Sequence, residues 1–252
     1  MTFFLQLVLL AGWRLALLVE VMPILLLMAL LQIPRRQWDA DAEPRRKLFG
    51  RALLQPFALL REAPMRRLSI AGFVYSGMQL SFVAFMTTHL TKIVGFDLIH
   101  AGQALATYQV TGAATRPVWG WIADRFLTPS QTLAVHGLGM AAAAIAAGQF
   151  GPGWPSWLIF LVAAIAGSTA GGYTGVVYAE YAHLGGARRT EATGLGTAIL
   201  FAGVLVIPST FGLAVTALGG YAIAYTTLAL LALASALLLC LDTWTPRAAD
   251  TA

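Results

Sequence analysis

Arg116 is the side chain best placed to do chemistry, because it stands in an otherwise apolar run eight positions before Asp124. A guanidinium in such a run is costly and faces protein or water. It can snorkel to an interface, pair with a carboxylate, or line a solute path and favour an anion. A second set of charges follows: Asp124 and Arg125 beside Gly120, then Glu180, Arg188 and Arg189. Their order suggests a charge network, with Arg125–Glu180 and Asp124–Arg188 or Arg189 as its pairs, that latches one conformation. A bias of a few kcal/mol is enough for that purpose. The same charges also suit solvated loops that only fix topology. Gly120 is expected to let neighbouring backbones approach closely.

A third set is polar or aromatic within apolar runs: Tyr75 and Gln79 at i and i+4, then Gln103, Tyr108, Gln109, Tyr173, Ser209 and Thr210. Buried amides need partners, so a wet cavity or interhelical hydrogen bonding explains them equally well. Glu20 is a candidate protonatable group. His89, His136 and His183 lack metal-ligand spacing and are expected at surfaces or interfaces. Gly171, Gly172 and Pro208 would permit bending or close packing. No nucleophile elbow, paired-carboxylate motif or phosphate-binding glycine loop is present, so the sequence does not read as an enzyme and ATP is not its energy source. The single cysteine, Cys240, reads as a packing residue. No cofactor or metal site is indicated.

What positions these residues is a bilayer. The 252-residue chain is 58% hydrophobic and only 11% charged, where a soluble domain carries roughly 25% charge. Seven apolar runs approach the roughly 20 residues of a membrane-spanning helix: Phe3–Ile33, Leu68–Leu90, Leu98–Trp121, Gln131–Phe150, Ser156–Tyr181, Ala192–Ala217 and Gly219–Leu241. The first is too long, and lacks the basic start, of a cleaved signal. The runs are Ala/Leu-rich without strand alternation, which gives an all-α integral membrane protein. Thirteen of the sixteen Lys and Arg residues fall on one side, chiefly in residues 34–67. The positive-inside rule makes that side cytoplasmic, with the N-terminus outside and the C-terminus inside. The basic residues thus report topology, with no nucleic-acid partner. Within the basic segment, Leu48, Phe49, Leu53, Leu54, Phe57 and Leu60 against Arg51, Arg61 and Glu62 suggest a short interfacial helix or a solvated linker.

The run Gly112-Ala-Ala-Thr-Arg116-Pro-Val-Trp-Gly120-Trp-Ile-Ala-Asp124-Arg125 resembles the loop motif of the major facilitator superfamily, found after the second helix of each half of such transporters. Gly12-Trp13-Arg14 resembles the entry to the family's sixth helix. Glu191-Ala-Thr-Gly194, Pro208, Gly212 and Gly219-Gly220-Tyr221 resemble its last two helices. The resemblance covers nearly the whole chain. It departs in Phe126-Leu-Thr-Pro-Ser130, where the family's fuller motif continues with glycine and basic residues. It implies residues 1–33 as the sixth helix, 34–67 as a cytoplasmic linker, 68–241 as the second six-helix bundle and 242–252 as a tail. It implies transport of a small solute by alternating access, energised by a proton or solute gradient, in the cell membrane. The missing half would come from a partner or a second copy. An inserted fragment that transports nothing, and a seven-helix receptor, remain compatible with the topology.

Overall fold

The computed structural model describes residues 14, 18–19, 21–33, 55–217 and 219–243. The chain divides into two units, Met1–Ala52 and Leu53–Ala252. In the first, helix α1 covers Val21–Gln32. Its Met22, Leu25, Leu26 and Leu30 are exposed, as suits a helix whose solvent is lipid. Gly12, Trp13 and Glu20 lie outside the described residues, as do the start of the amphipathic stretch at Leu48 and the tail beyond Thr243.

The second unit begins with a 3-10 turn, Gln55–Arg61. Helix α2, Ala63–His89, carries Pro64 in its first turn, where a missing N–H costs nothing, and widens into a π turn at Leu90–Val94. Helix α3 spans Leu98–Arg125 and is capped by Asp97, whose carboxylate accepts the His100 N–H at 2.8 Å. Helix α4, Pro129–Gly148, opens with a reciprocal cap between Thr128 and Gln131. Helix α5, Ser156–Ala166, passes into a π turn at Gly167–Gly171 and continues as α6, Thr174–Gly185. A 3-10 turn at Gly186–Arg188 leads into α7, Arg189–Ala217, and α8 covers Tyr221–Thr243. The described residues contain no strand.

Four described stretches are long and apolar enough to cross a bilayer: Ala63–Val94, Pro129–Gly148, Ser156–Ala217 and Tyr221–Leu241. The third has 62 residues, about three times one crossing, and the turn at Gly186–Arg188 divides it into α5–α6 and α7. Helix α3 has a span's length at 28 residues, but Gln103, Gln109 and Arg116 dilute its hydropathy. In the second unit the helix bounds agree with the sequence runs to within about five residues, while the start of the first run lies outside the described residues.

Small residues set the packing. Helices α2 and α7 lie along each other. A methyl on Gly203 would collide with the Phe73 carbonyl, and Ser76 Oγ donates to Leu200 O at 2.7 Å. Helices α4 and α8 form the other close pair. Buried tyrosines tie the helices to one another, as a large ring with one polar tip does well. Tyr75 donates to Leu133 O at 3.0 Å, Tyr108 to Gln79 O at 3.3 Å, and Tyr181 to Ser69 Oγ at 3.1 Å.

Candidate functional site

The polar chemistry concentrates where α3 crosses the π turn. A methyl on Gly171 would come within 2.9 Å of Gly112 Cα, so the two backbones meet with nothing between them. A π turn disturbs the regular i to i−4 ladder and loosens its carbonyls. Three α3 side chains take them up. Trp119 Nε1 donates to Ser168 O at 2.9 Å and lies 3.3 Å from Ser168 Oγ. Thr115 Oγ1 reaches the same carbonyl at 3.4 Å. Arg116 Nε donates to Gly171 O at 3.0 Å.

Arg116 is nonetheless exposed. Among the described residues it makes no ion pair, and its one hydrogen bond to another helix is the one from Nε. Tyr173 follows the π turn and meets Tyr75 edge-on at 5.8 Å. The structure therefore brings Tyr75 and Tyr173 together and sets Arg116 on the turn that precedes Tyr173. Gln79 is half-buried, while Gln103 and Gln109 are exposed on α3.

The expected charge pairs are arranged otherwise. Arg188 pairs with Glu191 at 2.6 Å and also donates to Gln55 O at 3.3 Å. Glu191 is three residues away on the same turn, closer in the chain than Asp124 can come. Glu180 is buried and accepts from Ser130 Oγ at 3.3 Å. Asp124, Arg125 and Arg189 are exposed. Among the described residues no ion pair joins Asp124 or Arg125 to Glu180, Arg188 or Arg189. A methyl at Gly120 would meet no atom within 4 Å, so the close approach expected there occurs at Gly112 instead.

His183 is exposed as expected, but His89 and His136 are not. His89 is buried and stacks on Tyr221 at 4.3 Å. His136 lies two turns inside α4, fully buried, with its ring 4.3 Å from Trp119. Trp119 and Ser168 were not singled out by sequence. The signal available was the Thr115, Arg116, Trp119 spacing opposite a small-residue run. Outside the spans, Asp97 is held below the usual carboxylate range by the His100 backbone N–H. Among the described residues no three His, Cys, Asp or Glu gather as a metal site.

Known proteins bear on this geometry. The sequence pattern of the Major Facilitator Superfamily matches residues 2–179 and, overlapping them, 68–251. A probable nitrate/nitrite transporter, NarK2 of Mycobacterium tuberculosis, from strains CDC 1551 / Oshkosh and H37Rv, is 30% identical over 131 residues. That stretch covers 50% of this chain and 31% of the length of those relatives.

Proposed function

Because this chain belongs to the Major Facilitator Superfamily, we propose that it carries the sixth helix and second half of a secondary transporter that moves a small inorganic anion by alternating access. Arg116 carries this reading. Its Nε is fixed on the Gly171 carbonyl while the guanidinium stays exposed. A planar fork held in that way suits a planar oxyanion, and the relatives that match are described as nitrate/nitrite transporters. Tyr75 and Tyr173, buried edge to face, steady the segment that follows the π turn. Asp124, Arg125, Glu180, Arg188 and Arg189 act at the opposite end of α3 from Asp97, where exchange of their partners would accompany opening. Residues 1–33, 34–67, 68–241 and 242–252 are sixth helix, cytoplasmic linker, bundle and tail. The N-terminus is outside, the C-terminus is in the cytoplasm, and the other half is supplied by a partner or a second copy. The exposed amides of Gln103 and Gln109 support that docking, since lipid would leave them unpaired.

Nitrate binding to the chain in nanodiscs, followed calorimetrically, tests the proposal. Arg116→Gln is expected to weaken it about tenfold or more, the worth of a charge-assisted hydrogen bond. Arg116→Lys, which keeps the charge without the fork, should fall between. Equal binding by all three would remove the anion reading. Uptake in vesicles, with and without the missing helices, then tests transport itself.

A further inference from the structure

We propose that His136 is a buried proton-binding site, and that Trp119 passes its charge state to the crossing of α3 with the π turn. His136 is fully buried on α4, and its Nδ1 lies 2.7 Å from Thr132 O. A backbone carbonyl only accepts, so Nδ1 carries the hydrogen and neutral His136 holds its lone pair on Nε2. Nε2 is buried and has no hydrogen-bond partner among the described residues. Burial without a partner resists the charged form, so the proton reaches Nε2 only under acid conditions, and the Trp119 ring is what offsets the cost. The imidazolium so formed lies against the Trp119 ring, whose centroid is 4.3 Å away, a cation–π arrangement. Trp119 in turn holds the Ser168 carbonyl and stands one turn from Arg116.

The groups on the elements around α4 set the electrostatics. Helix α2 brings Tyr75, whose hydroxyl is bonded to Leu133 O. Helix α3 brings Arg116. Helix α6 brings Glu180 with Tyr173 before it, and Glu180 is bonded through Ser130. Helix α8 contributes Cys240, one turn from the Ala236 that faces Gly137. Helix α5 and the π turn bring no titratable side chain. Arg116 opposes a second positive charge near Trp119, and an anion on Arg116 cancels that opposition. Anion and proton therefore assist each other by linkage. This coupling rests on the anion reading of Arg116, whereas the proton site stands without it.

The test is tryptophan emission of the chain in nanodiscs, titrated from about pH 8 to about pH 4. An imidazolium quenches an indole it touches. A quenching step is expected in the wild type and lost in both His136→Asn and Trp119→Phe. Asn keeps a donor for Thr132 O, and unchanged helicity by circular dichroism shows that each variant is folded. His89 cannot produce a Trp119-dependent step, since its ring neighbours are Phe150, Tyr221 and Tyr225. Persistence of the step in His136→Asn, or no Trp119-dependent step at all, overturns the proposal. Saturating nitrate should raise the midpoint by about one pH unit, the tenfold coupling common between linked sites, and should not do so in Arg116→Gln. If nitrate neither binds nor shifts the step, the anion reading and its coupling fail, while the proton site stands or falls on the step itself.

Discussion

Trp119 has one donor and spends it on the Ser168 carbonyl at 2.9 Å, while the Ser168 hydroxyl is a poorer acceptor at 3.3 Å. The two contacts can be separated. Trp119→Phe leaves the carbonyl of a loosened turn short of a partner and should destabilise the bundle by about 1–3 kcal/mol. Ser168→Ala, which keeps the carbonyl bond, should cost well under half as much; unfolding in mixed micelles measures both. Asp97 gives a prediction in pH. Its carboxyl is depressed by the His100 N–H, so its stabilisation is complete above the unfolded carboxyl's pKa and is lost as pH falls through the lower folded value. Asp97→Asn keeps an acceptor for the cap but should flatten this acid dependence, seen as a melting temperature that responds less to acidification. At this scale the sequence showed Arg116, since a charge in an apolar run needs no fold to be noticed. Its partner could not be read, because the Gly171 carbonyl becomes available only through the π turn. The buried histidines were missed for a related reason. Burial of a polar ring depends on which face of α4 meets Trp119, and hydropathy carries no such phase.

Helix limits were the most legible elements. Hydropathy alone located the described runs, and the breaker residues divided them. The Thr128–Gln131 box supports the start of α4, so Thr128→Ala should cost about 1 kcal/mol, measurable by the same unfolding assay. The π turns were not legible, because one extra residue in a helical turn leaves composition unchanged. The glycine that mattered was likewise indistinct: Gly112 and Gly120 sit two turns apart in one motif, yet only Gly112 touches the turn. A side chain forced into that contact should separate α3 from the π turn. Gly171→Val is expected to cost about 1–3 kcal/mol by overpacking and to release Arg116 from its anchor, whereas Gly120→Val, facing open space, should be nearly silent in both stability and nitrate binding.

The second unit, Leu53–Ala252, is a helical bundle that exposes Gln103, Gln109 and Arg116 along α3, and charge is what predicts the chain's orientation. Thirteen of the sixteen Lys and Arg residues fall in segments that alternate spans would place together, and moving charged loops across a bilayer is what the positive-inside rule opposes. Helix α3 carries that test at its two ends. Ile99 at one end is 62% exposed and Phe126 beyond the other is 64% exposed, so each accepts a reporter without disturbing the core. With Cys240, the single cysteine, replaced by alanine, Ile99→Cys should react with an impermeant maleimide in sealed cells. Phe126→Cys should react only after lysis. The reverse pattern would put the basic linker outside and invert the assignment of every loop. Labelling of both in sealed cells would mean that the chain inserts in two orientations, and the +5 formal charge would then have failed to orient it.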